Sequence, residues 1–136
     1  MNDFRDLIVW QKAMGLFEDV VKDAEKFPNT EVSRIISNQV LRSVSSVSAN
    51  IAEGYGRRKG KEYKQYLYIS RGSANESIDW YEKLKRLNYI SEEAFAQREA
   101  ICEEICAMLT GMINKLENKE QIHFWLPHPF TLSFSP

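Results

Sequence analysis

Apolar residues recur every three to four positions along four successive stretches of the chain, and that period belongs to helices with one buried face. In the first stretch, Leu7, Trp10, Met14, Phe17, Val21 and Ala24 share a stripe, while Asp6, Lys12, Glu18, Asp19, Lys22 and Asp23 point elsewhere. Asp3 is the expected cap, and Pro28 ends the helix near Phe27 because proline cannot donate to the preceding turn and disfavours a helical residue before it. Asn29 or Thr30 opens a second helix carrying Val32, Ile35, Ile36, Gln39, Val40, Val44, Val47 and Ile51. A third runs from about Glu62 to Leu87, with Tyr63, Tyr66, Leu67, Ile69, Ser70, Ala74, Ile78, Tyr81, Leu84 and Leu87 at core-compatible spacing, until Asn88-Tyr89-Ile90 breaks the pattern. Ser91, followed by Glu92 and Glu93, opens a fourth, whose stripe reads Phe95, Ile101, Cys102, Ile105, Leu109, Met112, Ile113 and Leu116. Four long helices with short connections predict an all-α, up-and-down antiparallel four-helix bundle over residues 1–119.

Between the second and third helices the pattern reaches Asn50-Ile51-Ala52-Glu53-Gly54-Tyr55-Gly56 and then Arg57-Arg58-Lys59-Gly60-Lys61. Gly54 and Gly56 can adopt positive φ, so a hinge that redirects the chain is expected here. Ser43, Ser45, Ser46 and Ser48 are unfavourable for helix propensity and predict either close approach of a neighbouring helix or an exposed polar face. Gly72 predicts a close helix contact for the same reason. Residues 120–136 differ: Ile122, Phe124, Trp125, Leu126, Phe130, Leu132 and Phe134 are apolar, and Pro127, Pro129 and Pro136 exclude a regular helix, so an irregular aromatic tail is expected.

The totals narrow the function classes. A chain of 136 residues holds one core, and a net charge of -1 does not by itself predict a polyanion partner. No run reaches the length of a membrane span and the first residues lack a basic region followed by an apolar core, so no membrane association and a cytoplasmic location are expected. Cys102 and Cys106 lie one turn apart, without the third and fourth ligands of a structural zinc site, and read as reduced core thiols. Both histidines, His123 and His128, fall in the tail, which leaves the serines without a base and the helices without a Glu-x-x-His metal motif. Gly54-x-Gly56-x-x-x-Gly60 follows a helix rather than a strand and is not a phosphate loop. No enzyme activity, metal or cofactor is expected.

Charge is unevenly distributed. Arg42, Arg57, Arg58, Lys59, Lys61, Lys64 and Arg71 outnumber Glu53 and Glu62, whereas acids dominate from Ser91 to Glu120. Two uses fit this separation. The basic residues, with Tyr55, Tyr63 and Tyr66 nearby, can contact phosphates and stack on unpaired bases; or the basic end can meet the acidic helix and set register, within one bundle or between subunits. Arg42, Asn50 and Glu53 are the side chains least explained by helix formation, and candidate cross-helix pairs are Arg71 with Glu53 and Glu76 with Arg42.

The run from Phe4-Arg5-Asp6-Leu7-Ile8-Val9-Trp10-Gln11-Lys12-Ala13, with Gln39, Arg42, Asn50-Ile51-Ala52-Glu53-Gly54 and Arg71-Gly72-Ser73, resembles the four-helix bundle proteins encoded in 23S rRNA intervening sequences. The resemblance spans about Asn2 to Glu117 and excludes the aromatic tail. It implies a homo-oligomer, typically a pentameric ring, related to accessory proteins of diversity-generating retroelements in which a more basic pentamer binds nucleic acid and the reverse transcriptase. Leu41 stands where a second arginine often precedes Arg42, and Ser48 where a proline is common. The function expected is a non-enzymatic, self-assembling bundle that binds RNA or a ribonucleoprotein through its basic loops. The alternative is a protein-interaction scaffold without nucleic-acid affinity, docking through its tail.

Overall fold

The computed structural model describes residues 3–125, the last four of them as helical backbone only. A single 3-10 turn, Phe4–Asp6, precedes four helices: α1 Ile8–Ala24, α2 Glu31–Gly56, α3 Glu62–Arg86 and α4 Glu92–Trp125. α1 packs on α2 and α4, and α3 packs on the same two, while the backbones of the diagonal pairs stay apart. Cross-helix contacts give the directions. On α2 and α3, Ser43 meets Ser77, Ser46 meets Ser73 and Gly54 meets Tyr66, so the two run antiparallel. Lys64 with Glu120 and Arg71 with Thr110 do the same for α3 and α4, and Lys12 with Glu104 and Asp23 with Arg98 for α1 and α4. The fold is the expected all-α, up-and-down bundle.

Local chemistry sets the helix ends. Asp3 caps the short 3-10 turn rather than α1 itself, accepting from the Arg5 N–H at 2.8 Å. Thr30 accepts from the Ser33 N–H at 3.1 Å to start α2, and Ser91 accepts from the Ala94 N–H at 3.0 Å to start α4, each satisfying one orphan donor of a first turn. α3 ends differently. Asn88 has φ 60°, its N–H bonds to the Lys85 carbonyl at 2.9 Å, and the next N–H, of Tyr89, reaches back to Leu84 at 3.0 Å. That is a Schellman stop in which asparagine takes the left-handed position. Substituting Asn88→Ala is expected to cost about 1 kcal/mol and Asn88→Gly essentially nothing, measured by urea unfolding, because only a residue with a Cβ and no compensating polar group is penalised there.

The core is built from Val9, Leu16 and Val20 of α1, Val40, Val44, Val47 and Ile51 of α2, Leu67, Tyr81 and Leu84 of α3, and Cys102, Ile105, Leu109 and Ile113 of α4. On α1 this corrects the expected stripe. Leu7, Trp10, Phe17 and Ala24 flank the core, only partly buried, whereas the smaller Val9, Ala13, Leu16 and Val20 occupy its centre, where a close-packed bundle has no room for Trp10 or Phe17. Val32, Ile35, Ile69 and Leu87, assigned to buried stripes by spacing, are exposed.

Of the four serines, Ser43 and Ser46 permit close approach, while Ser48 donates within its own helix to the Ser45 carbonyl at 3.3 Å. Ser43 Oγ lies 3.0 Å from Ser77 Oγ, Ser73 Oγ donates to Ser46 Oγ at 2.8 Å, and Ser70 Oγ donates to the Val47 carbonyl at 2.8 Å. Short hydroxyls bond across the seam where longer side chains would hold α2 and α3 apart. Glycine corrects two expectations. Among the described residues no glycine has positive φ, and α2 continues through Gly54 to Gly56. Gly54 serves close packing: a Cβ there would stand 2.9 Å from Tyr66 Cβ. Gly72, expected at a close contact, has nothing within 4 Å of where its Cβ would be.

α4 continues to Trp125, past the boundary expected at 119, and carries His123 with it. The first helix breaker is Pro127, so nothing from 120 to 125 opposes helix formation. The expected irregular aromatic tail falls on residues 126–136, outside the described residues. No helix among the described residues is long and apolar enough to cross a membrane.

Candidate nucleic-acid interface

α2 and α3 are joined by a five-residue turn, 57–61, at one end of the bundle. It is closed by the Arg57 N–H to the Gly54 carbonyl at 2.9 Å, the Arg58 N–H to Tyr55 at 3.2 Å and the Gly60 N–H to Arg57 at 2.9 Å. Four of the seven sequence-predicted cations, Arg57, Arg58, Lys59 and Lys61, sit on this turn, all exposed. Two clefts flank it and share Arg58, Lys59 and Gly60. One, of about 430 Å³, opens toward Arg57 and Glu62; the other, of about 580 Å³, is closed on its far side by Leu116 and Lys119 of α4.

The cations are not equivalent. Arg57 pairs with Glu53 one turn earlier at 3.0 Å, and its guanidinium lies 5.5 Å from the centre of the Tyr66 ring. Arg58 lies 4.2 Å over Tyr55 and donates to the Tyr55 carbonyl at 3.0 Å. Lys64 pairs with Glu120 at 2.8 Å, which holds the end of α4 against the start of α3. Lys59, Lys61 and Lys119 have no ion-pair partner among the described residues. The charge pattern of the sequence does not single out Lys119, because it belongs to the acid-rich helix. Counting α4 back along α3, antiparallel from the Asn88 turn, brings it to the basic end.

The other candidates lie elsewhere. Arg42 is fourteen residues before Gly56, the last residue of α2, about 21 Å from the start of the turn. There it pairs with Glu76 of α3, as the sequence suggested, and bonds to Gln39 at 3.2 Å; Glu76 also accepts from the Trp80 indole at 3.0 Å. Arg71 does not meet Glu53. Its guanidinium bonds to Thr110 Oγ1 at 3.0 Å and lies 4.9 Å from the Tyr68 ring centre, on the α4 side. Asn50 is tied to its own helix, donating to the Ser46 carbonyl at 2.8 Å and to Ser46 Oγ at 2.9 Å, and joins α3 only through the Ser46–Ser73 bond.

The aromatic rings of the basic end offer little open face. Tyr55 is 7% exposed, and Tyr63 and Tyr66 are half-buried. Burial is also the main cause that raises the Tyr63 hydroxyl above its ordinary pKa. With guanidinium groups over Tyr55 and Tyr66, the chemistry the turn presents outward is cationic rather than stacking.

The cysteines behave as core thiols. Burial pushes Cys102 up to about 12, and Cys106 is raised for the same reason, so neither is a ready thiolate at neutral pH. Among the described residues no group of three or more His, Cys, Asp or Glu side chains is placed to hold a metal ion.

The family model described as 23S rRNA-intervening sequence protein matches residues 5–111. A solved structure from Bacteroides thetaiotaomicron VPI-5482, described as a protein with unknown function from the S23 ribosomal protein family, is similar with a TM-score of 0.72 at 28% identity, covering 78% of this chain and 98% of that one. No curated protein matches. A bundle of this topology, matched over most of its length by that family model, belongs to the 23S rRNA-intervening sequence protein family.

Proposed function

We propose that this chain is a non-enzymatic cytoplasmic accessory protein that assembles with copies of itself, as a ring of five, and presents its α2–α3 turn to the phosphates of RNA or a ribonucleoprotein. The observation that carries the reading is the gathering of Lys59, Lys61 and Lys119, none with an ion-pair partner among the described residues, around one cleft with Arg58; the acid of that cleft, Glu120, is taken up by Lys64. Arg57 can join them at small cost, since its bond to Glu53 is exposed and water screens such a pair. One turn contributes few charges, and a ring repeats it, so weak phosphate bonds add through multivalency.

Charge reversal tests this. Lys59→Glu with Lys61→Glu and Lys119→Glu is expected to weaken binding of a structured RNA at low salt by about tenfold or more, and to reduce the slope of log affinity against log salt by about one for each phosphate that is no longer neutralised. Gel mobility shifts across a salt series measure both, with Lys22→Glu, Lys26→Glu and Lys83→Glu, the same three charge reversals at the opposite end of the bundle, as the matched control. Equal affinity of the variant and the control would remove the turn as the interface.

A second reading, a protein-interaction scaffold without nucleic-acid affinity, is favoured by the pairs in which acidic α4 is already used. Lys12 meets Glu104 at 2.8 Å, Lys64 meets Glu120, and the Tyr68 hydroxyl donates to Glu117. These charges set helix register, and on this reading the remaining lysines serve solubility alone.

A further inference from the structure

Four large apolar side chains stand in water on one face of the bundle. Val32 and Ile35 of α2, Ile69 of α3 and Leu87 at its end are each 43% to 55% exposed, and no other face carries more than one such side chain among the described residues. Their spacing puts them together. Val32, Ile35, Gln39, Arg42 and Ser46 recur every three or four residues along α2, as do Ile69, Ser73, Glu76, Trp80, Lys83 and Leu87 along α3. The Ser46–Ser73 bond and the Arg42–Glu76 pair join the two stripes across the seam. Counting on from those contacts brings Val32 and Ile35 level with Leu87, at the end of the bundle away from the 57–61 turn.

The face is large enough for a specific contact. α2 and α3 are 26 and 25 residues long, which makes it about 38 Å by about 20 Å, from a rise of about 1.5 Å per residue and two helices each about 10 Å across. That is roughly 750 Å², close to the roughly 800 Å² that each partner gives to a stable interface.

The order of side chains along the face is complementary to itself. Where a second copy is related by a two-fold axis along the bundle, α2 of one copy lies on α3 of the other at the same height. Val32 and Ile35 then meet Leu87 of the second copy, Arg42 meets its Glu76, and the short Ser46 and Ser73 let the backbones approach at the middle. Each of these contacts occurs twice. Two other placements fail on charge. Turning the copy end for end sets Ile35 against Glu53 and Leu87 against Glu62. Laying the face on the α1–α4 side of a copy running the same way sets Arg42 against Lys12 and Glu76 against Glu104, which lie at that height.

We propose that two copies of this chain pair through the outer faces of α2 and α3, with the bundles parallel, Val32 and Ile35 on Leu87, and Arg42 on Glu76. Both 57–61 turns then lie at one end of the pair. In the ring of five proposed above, bundles that point radially put this two-fold axis at right angles to the five-fold, so the pairing joins two rings into ten chains. Only that count rests on the ring; the pair itself needs neither ring nor RNA.

Light scattering of the full chain without RNA tests this. The native mass is expected to be that of two chains, or of ten where the ring also forms. A mass of one chain or of five would overturn the pair, and five would do so while leaving the ring in place. Ile35→Asp with Leu87→Asp changes two exposed positions and no core residue, and is expected to halve the mass with helical circular dichroism unchanged. Full mass in that folded variant would overturn the proposal. Arg42→Glu and Glu76→Arg, each alone, set like charges together twice in every pair and are expected to weaken it about tenfold or more. Mixed in equal amounts, the two variants are expected to regain the native mass, because each reversed side chain meets its opposite only in the other copy. A mixture that stays at the lower mass would overturn the parallel two-fold arrangement.

Discussion

Replacing Arg98 with methionine is expected to lower the stability of the bundle by about 3 kcal/mol, at the low end of the range for breaking a buried ion pair. Arg98 of α4 forks onto Asp23 of α1, Nε to Oδ2 at 2.8 Å and Nη2 to Oδ1 at 3.0 Å, and reaches Asp19 at 3.8 Å. From α3, the Tyr81 hydroxyl donates to the same Asp23 oxygen at 2.6 Å. The side chains of Arg98 and Asp23 are 15% and 13% exposed, so water offers either one little in place of its partner. Burial, and then the bond to Asp23, raises the Tyr81 hydroxyl far above its ordinary range, which keeps it a donor at any physiological pH. One carboxylate thus joins three helices. Without Arg98 its partner would be the Tyr81 hydroxyl alone. Adding Asp23→Asn to Arg98→Met removes that stranded charge and is expected to restore about 1–2 kcal/mol, a coupling that a double-mutant cycle in urea reads directly. A change within about 0.5 kcal/mol for Arg98→Met alone, the range of an ordinary surface substitution, would mean that the cluster does not hold the helices together.

The second large effect is at Gly54. A Cβ at this position meets Tyr66 Cβ at 2.9 Å and Tyr63 Cδ1 at 3.2 Å. The first of these is fixed to the α3 backbone, so rotating a side chain cannot relieve it. Gly54→Ala gains about 1 kcal/mol of helix propensity and loses more to overpacking, for a net destabilisation of about 1–2 kcal/mol. Gly54→Leu must push α2 and α3 apart at their closest seam and is expected to cost about 3 kcal/mol. Gly72 is the control, because its surroundings are open: Gly72→Ala is expected to stabilise the protein by about 0.4–1 kcal/mol. Thermal or urea unfolding of the three variants checks the signs, and a stabilising Gly54→Ala would show that the seam can relax.

These two sites mark where the sequence is and is not legible. Helix number, order and most boundaries follow from Pro28, Thr30, Ser91 and the 3.6-residue period, since each acts locally. The Arg42–Glu76 pair is legible too, because antiparallel neighbours joined by a short turn have a register that can be counted. Asp23 and Arg98 are 75 residues apart on helices that are not consecutive, and nothing in the spacing of either stretch announces the other. Period alone cannot choose between Trp10 and Phe17 or Val9 and Leu16 for the centre of α1, because both sets recur at helical intervals and only the space between four helices decides. The conformational freedom of Gly54 suggests a hinge, whereas its partner across the seam, Tyr66, gives the reason for a glycine there. For the candidate interface, the basic turn is plain in the sequence. Lys119 is not, and neither is the internal engagement of Arg42, Lys64 and Arg71, which depends on what each faces across a helix pair.

Light scattering coupled to size exclusion decides whether the bundle self-assembles and holds RNA through its phosphates at the 57–61 turn. The full chain would be run with and without a pool of structured and single-stranded RNA at a low and a high salt concentration. An oligomer of constant mass at both salts that gains the mass of RNA only at the low one is expected, since binding driven by counterion release weakens steeply with salt. An oligomer indifferent to RNA at both concentrations would contradict the phosphate-binding account, and a monomer at both would contradict the assembly on which its multivalency depends.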